Sequence, residues 1–501
     1  MTLSRLDRAL LSVAPQFAAR RLRARALALT YAHYEAAQGG RRTDGWTRMS
    51  TDVNAANAAA LPVLRDHARD LIRNNPWAER GKQVIANNTV GWGIMPKPIG
   101  DLNGHAVKRA RTLWKAWGHS TQCDLEGQRD FYGLQRLVME TVAESGEVIV
   151  RRYRVTNRGL AIPMQLQVLE GDYLDTTRDL IATREGGKII QGVEFDAMGR
   201  RVAYWLFPEH PGSANRFGTS RLIGTSQRVP ADGVLHVYRK RRPGQVRAVT
   251  WYAPVIARLK GFDVFEDAAL VQQQVAACLA GFITDTDGTG VAVGDKDASD
   301  PLLETIQPGT LQKLPVGKSI TFTTPPRPVD GRFDQRQLRA IAAGLGITYE
   351  ELTGDYSAVN FSSARMARLA HWANVHDWRW NLIIPMFCGP CWDWAMETAF
   401  IAGSIGDTPA AEWTPPPMPL IEPDKEARAG ITRVRGGQAL FDDLVREQGL
   451  DPETFWPEYA ANLKRLDDLG IVLDSDARKT TQAGNPTDPG ESSGKVGNSE
   501  E

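Results

Sequence analysis

The chain has 501 residues, 42% of them hydrophobic and 24% charged, which excludes a fibrous or disordered protein and allows roughly two to four domains. Lys and Arg number 60 against 59 Asp and Glu, so a net charge of +1 supplies no bulk pull toward nucleic acid or membrane. No run reaches the ~18 consecutive apolar residues of a membrane span, and four cysteines are too few for a disulfide scaffold and favour a reducing compartment.

Residues 1–48 carry nine Arg and three acids, a net +6. They have no apolar core of a secretory signal. Their composition fits a basic arm, a removable leader or an organellar transit peptide. Residues 49–115 read as mostly helical, with breaks at Asn75-Pro76 and at "VGWGIMPKP" (90–98). A helix from about Phe131 leads into strand-like runs at 147–155, 164–170, 187–196, 200–207 and 233–239. Turn residues separate these runs, as in antiparallel β structure. A long helix is expected over 253–280, with Val255, Leu259, Phe262 and Phe265 on one side and Asp263, Glu266 and Asp267 interrupting it.

A β-rich module is expected over 281–328, then a second helix from about Phe333 to "GLGI". Thr348-x-x-Glu351 has the pattern of a capping box. The polar stretch "TGDYSAVNFSS" (353–363) follows, and then a long helix in which Met366, Leu369, Ala373, His376 and Trp380 predict one apolar stripe. Pro385 and Pro390 predict a kink in it. Residues 413–423 are Pro-rich, as a linker is, and helical patterns resume to about 472. The tail 474–501 carries six acids and three bases and has the composition of a disordered segment.

Three short patterns invite a chemical reading. "FCGPCW" (387–392) matches a redox C-x-x-C, but such a pair needs an exposed first Cys at a helix start fed by a strand. Here helical patterns flank Cys388 and Cys391, and five of the 14 tryptophans lie between 372 and 394, so burial at a helix bend is expected. A metal site would need a second ligand pair, whereas Cys123 and Cys278 stand alone. "LPVGKS" (314–319) ends like a phosphate-binding loop, but Gln312 stands where its first Gly belongs. The glycines at 288, 290 and 294 have the wrong spacing for a dinucleotide loop. No catalytic constellation, cofactor site or metal site is expected, which disfavours a C-x-x-C oxidoreductase and a packaging ATPase.

Two helices bracketing a small β module, with an exposed polar loop and a long helix after them, suit a ring subunit whose helix flanks are buried by neighbouring copies. Four segments carry a resemblance in order and spacing: "RDLIRNNPWAERGKQVIANNTVGWGI" (69–94), "GVEFDAMGRRVAYWLFPEHPG" (192–212), "VPADGVLHVYRKRRPGQVR" (229–247) leading into the long helix, and "GDYSAVNFSSARMA" (354–367). Over roughly residues 45–425 the chain resembles the portal proteins of lambda-type tailed phages. "AVTWYAP" (248–254) departs from the Gly and Pro usual after that family's "PGQxR" stretch.

The resemblance implies an α+β portal fold in a ring of identical subunits, dodecameric in the mature particle, at one capsid vertex. It implies a basic N-terminal arm or leader (1–48), an α/β wing (49–250), stem helices at 251–280 and 329–352, and a clip at 281–328. A tunnel loop (353–361), a long kinked helix (362–412), a crown region (413–473) and the tail complete the order. The expected channel-facing residues are Asp355, Tyr356, Ser357, Ala358, Val359, Asn360 and Phe361. Ser357 or Asn360 is also placed to cap the following helix. Phe262 and Phe265 are expected at the ring interface, with burial inside one subunit as the alternative. The implied partners are double-stranded viral DNA, the terminase large subunit, the major capsid protein and a head–tail adaptor, with no membrane.

Overall fold

The structure, a computed structural model, describes residues 50–99, 104–155, 159–180, 186–213, 225–277, 281–285, 318–322, 331–418, 423–448 and 452–473, with isolated positions elsewhere. Most of the N-terminal arm, most of the clip with its glycine-rich 287–295 stretch, the tail beyond 478 and Cys278 lie outside the described residues. The chain divides into two units, Met1–Ala56 and Asn57–Glu501. All elements numbered below lie in the second.

After a short helix at Val53–Ala58, the wing region continues with α1 (Ala60–Asn74) and α2 (Pro76–Thr89). Their junction is written in two residues: the Asn75 side chain accepts the N–H groups of Trp77 and Ala78, and Pro76 takes the first position of α2, where a missing N–H costs nothing. Then come β1 (Met95–Pro98), α3 (His105–Gly118) and α4 (Phe131–Ser145). Asp130 caps α4 by accepting the Gly133 N–H at 2.7 Å. Gly146 ends it at φ 90°, where a Cβ would stand 2.3 Å from the Val249 carbonyl carbon. Only glycine fits there.

β2 (Glu147–Arg154), β3 (Met164–Glu170) and β8 (Val234–Tyr238) form one antiparallel sheet in the order β3-β2-β8. A second antiparallel sheet has the order β4 (Lys188–Ile190), β5 (Val193–Phe195), β6 (Arg201–Leu206) and β7 (Gln227–Pro230). The expected single strand 187–196 is in fact the hairpin β4-β5, because Gln191 (φ 48°) and Gly192 (φ 84°) make a two-residue turn with both angles positive. Strand alternation gives β2 two apolar faces. Val148 and Val150 enter the main core while Ile149 enters a smaller one between the sheets, with Val193, Tyr204 and Leu206.

α5 (Ile256–Ala277) and α6 (Gly331–Leu345) flank in sequence the antiparallel pair β9 (Gly281–Asp285) and β10 (Lys318–Phe322). α7 (Tyr349–Thr353) and α8 (Phe361–Trp378) follow. The long helix then widens into a π-helix, Arg379–Cys388, and tightens again as α9 (Gly389–Ile401). Both prolines fall at this change of coil, Pro385 inside the wider i→i+5 stretch and Pro390 at the start of α9, the kind of irregularity at which long helices bend. The "VGWGIMPKP" break and the start of the Pro-rich stretch pair with each other as β1 and β11 (Ala411–Thr414), Met95 opposite Thr414. The C-terminal helices are α10 (Pro423–Arg435), α11 (Phe441–Glu447) and α12 (Pro452–Asp468).

Candidate functional site

The polar loop between α7 and α8 is braced at both ends and open between them. Thr348 and Glu351 form the expected capping box at the start of α7, and Gly354 ends that helix at φ 72°. The Asp355 carboxylate accepts the backbone N–H and the hydroxyl of Ser357 at 3.0 and 2.6 Å, and the Tyr349 hydroxyl at 3.1 Å. These hydrogen bonds, the Ser357 hydroxyl first, hold Asp355 below the usual carboxylate range. At the far end Asn360 caps α8, accepting the Ser363 N–H at 2.8 Å while its own N–H reaches the Ser363 hydroxyl. Asn360 therefore takes the capping role, and Ser357 serves the turn.

Between the braces Tyr356 is 60% exposed, Ser357 and Ala358 are exposed, and Val359 is half-buried. Phe361 begins α8, and its side chain lies outside the described residues. Beneath the loop, His371 Nδ1 stands 2.6 Å from the Glu351 carboxylate, and Arg80 donates to the Glu351 carbonyl at 3.1 Å. Burial pushes the Glu351 carboxyl up, but the hydrogen bonds from His371 and Thr348 outweigh it and keep the group ionised. Loop, α2 and α8 are thus tied through one acid.

The long helix is pinned lower down by Arg379, which is buried without a carboxylate. Its guanidinium donates to the carbonyls of Asn88, Thr89 and Pro416, each at 2.7 Å, and lies over the Trp372 ring. Asn88 and Thr89 end α2, so a cation meets the negative end of that helix. The apolar stripe expected on this helix is displaced. Met366, Leu369 and Trp380 are about half-exposed or more, and the inward face is His371, Val375, Trp378 and Leu382. The 3- and 4-residue spacing is real in both rows; the core chose the other one.

Phe262 requires a similar correction. It is 3% exposed within its own chain, stacked on Phe265, which in turn meets Phe333 of α6 at 5.0 Å. A ring so buried is not available to a neighbour, and Phe265 is half-committed to the same cluster. The outward face of α5 instead presents Val264, Leu270 and Val271.

The cysteine pair lies at the junction of the π-helix and α9, both thiols fully buried and pushed well up by that burial. Phe387 beside them stacks on Phe131, and Trp392 meets Trp114 at 4.9 Å. This is aromatic packing, with no exposed thiolate. Lys318 and Ser319 of the loop-like "GKS" open strand β10, where a phosphate-binding loop needs a helix N-terminus.

Two polar clusters were not foreseen. Glu147, fully buried where β2 leaves α4, accepts from Arg247 Nε at 2.8 and 2.9 Å and from Arg65 at 2.7 Å, and pairs with His236 at 3.0 Å. Nothing in "SGEVIVRR" distinguishes this Glu from a solvated strand end. The second cluster brings ligand atoms of Glu170, Asp172 and His210 within 4.8 Å of one another. It does not suit a metal. Arg69 already stands 3.0 Å from Glu170 and 2.6 Å from Asp172, and the Gly212 N–H donates to His210 Nδ1. That bond puts the ring proton on Nε2, which faces Glu170 at 3.0 Å and has no lone pair to offer.

Residues 39–379 match the family model "Phage portal protein, lambda family". A "Probable portal protein" of Halomonas phage phiHAP-1 is 28% identical over 470 residues, covering 87% of each chain. "Portal protein B" of Escherichia phage lambda is 23% identical over 370 residues, covering 67% of this chain and 68% of that one. Among solved structures, "Neck of native GTA particle computed with C12 symmetry" covers 82% of this chain and 98% of its own, at 14% identity and a TM-score of 0.43. With a family match over more than half its length, the chain belongs to the lambda family of phage portal proteins.

Proposed function

We propose that twelve copies of this chain form the portal ring at one capsid vertex, a conduit through which double-stranded DNA enters during packaging and leaves on ejection. The braced, open loop 355–360 carries this reading: its ends are fixed by Asp355 and Asn360 while Tyr356, Ser357 and Ala358 stand outward. Short polar and apolar side chains touch a sliding duplex without a charge-assisted grip. Every cation fixed on a phosphate would release counterions and add affinity that brakes translocation, and residues 355–360 contain no Lys or Arg.

In this reading residues 49–250 are the wing, α5 and α6 the stem, 281–328 the clip, the long helix runs under the wing, and 413–473 lie toward the crown. The terminase large subunit, the major capsid protein and a head–tail adaptor bind around the ring, first in the host cytoplasm and then in the virion. Terminase supplies the hydrolysis, and this chain performs none. The half-exposed apolar faces of α5 (Val264, Leu270, Val271) and α8 (Met366, Leu369) are where neighbouring subunits meet. Negative-stain imaging of the purified chain tests the reading: rings with a central hole are expected, and a monodisperse monomer at micromolar concentration would refute it.

A further inference from the structure

A groove of about 660 Å³ lies between the end of β8 and the start of the π-helix. Its volume is in the range of roughly 300–1,000 Å³ typical of ligand pockets. One wall is the run Arg239-Lys240-Arg241. The other carries Asp377, Asn381, Leu382 and Met386.

The cationic wall is held in shape by a buried side chain. Gln245 is 3% exposed; its carbonyl oxygen accepts the Arg241 N–H at 2.7 Å and the Arg242 N–H at 3.3 Å, and its amide donates to the Arg247 carbonyl. The basic run is therefore presented on a fixed turn.

Three consecutive cations, Arg239, Lys240 and Arg241, supply the donors along one wall of the groove. Asp377 is the one acid among the described lining residues, and it is already engaged by Arg239 at 3.4 Å and by the Asn381 amide at 2.8 Å. Lys240 and Arg241 are left with no carboxylate there. Arg241 is exposed at the rim of the groove, and partial desolvation together with the neighbouring Arg239 charge pushes its guanidinium below its usual range. Trp378, 1% exposed and lining the groove, keeps an indole N–H without an acceptor, as does Trp251, which packs on it at 5.2 Å.

We propose that this groove is a docking site for an acidic peptide segment of a partner protein, its carboxylates on Lys240 and Arg241 and an aliphatic side chain against Leu382 and Met386. The apolar floor favours a peptide over DNA. A duplex presents a convex row of phosphates and is met by a broad basic surface, whereas these cations rim a recess.

The test is fluorescence anisotropy with the full chain and a labelled acidic octapeptide containing two leucines. A version with serine for leucine and a labelled duplex DNA complete the set. The double substitution Lys240→Ala/Arg241→Ala changes two exposed side chains, and circular dichroism confirms that the fold is kept. The expected result is saturable binding of the leucine peptide, weakened at least about tenfold by the double substitution and severalfold by the serine replacement. Equal binding by the substituted protein, equal binding of the serine peptide, or a preference for the duplex would each overturn the proposal, the last by making this a nucleic-acid contact.

Discussion

Arg247 Nε lies 2.8 and 2.9 Å from the two carboxylate oxygens of Glu147, and both side chains are buried. Arg65 reaches the same carboxylate from α1, so one acid joins that helix, the central strand and the segment leading into α5. A buried ion pair of this kind is weak proof of net stabilisation, but removing one partner strands the other charges in a low dielectric. Glu147→Gln should therefore lower unfolding free energy by about 3–5 kcal/mol, read from denaturant midpoints of the purified chain. A loss below about 1 kcal/mol would mean that Arg65 and Arg247 find other partners.

His236 adds a pH dependence with a definite sign. Burial, opposed by Glu147, pushes its imidazole down to about 4. The unfolded chain binds a proton at this residue as pH falls below roughly 6.5, while the folded chain does not. Stability should thus decline as pH falls from 6.5 toward 4, at up to about 1.4 kcal/mol per pH unit, and this contribution should flatten below 4. Glu147 acts lower still. Although burial raises its carboxyl, the Arg247 charge and the His236 hydrogen bond hold it well below the carboxylate range, so its contribution is lost progressively as pH falls below about 4.5, the unfolded value, and on into the most acidic conditions. His236→Gln should remove the slope above pH 4 that this site supplies, measured as midpoint against pH for both proteins.

The helix break at Asn75-Pro76, the strand runs and the capping box at Thr348 were legible because they depend on local chemistry: an Asn before a Pro, alternation bounded by turn residues, a Thr three residues before a Glu. The loop 355–360 was legible for the same reason, since its cap and turn residues act within three or four positions. Which face of a helix turns inward is a tertiary choice. In α8 the rows Met366/Leu369/Ala373 and His371/Val375/Trp378 have the same period, and neither outranks the other until α2 and α6 are packed beside them. Glu147 was hidden differently. Its partners are 82, 89 and 100 positions away, and an isolated Glu at a strand start ordinarily meets water.

The cysteines offer a direct check on the C-x-x-C reading. Burial pushes Cys388 and Cys391 well up and raises Cys123 as well, so none supplies thiolate near neutral pH. In a Cys278→Ser background the native protein should react with a thiol-specific aromatic disulfide only after denaturant is added, releasing three equivalents. Fast reaction of two thiols in the native state would restore the redox reading.

Phe262 and Val264 separate folding from assembly. Phe262→Ala empties a fully packed site in the subunit and should cost about 3–5 kcal/mol of subunit stability. Val264 is 56% exposed on the outward face of α5. Val264→Asp should leave subunit stability within about 0.5 kcal/mol, since it touches no buried feature, yet lower the fraction of rings in mass measurement by placing a charge between copies. Intact rings from Val264→Asp would exclude this face from the interface.

The loop itself separates a cap from a channel contact. Asn360→Ala removes the acceptor for the Ser363 N–H and should cost about 1 kcal/mol, while Asn360→Asp, which keeps that acceptor, should cost less. Neither change alters Tyr356, Ser357 or Ala358, so neither should affect DNA retention beyond its effect on stability. Deleting residues 356–360 removes the outward side chains together with the cap. Asp355 then loses Ser357 but keeps Tyr349, and His371 still holds Glu351 beneath the loop, so the fold and the ring should survive. Heads assembled on the deleted ring should package poorly or lose full-length DNA, scored by the length of DNA protected from nuclease. Loss of the ring would make the loop an architectural brace, and full protection would make it dispensable. Asn360→Ala heads with normal protection, beside deleted heads without it, would assign the effect to the side chains that stand outward.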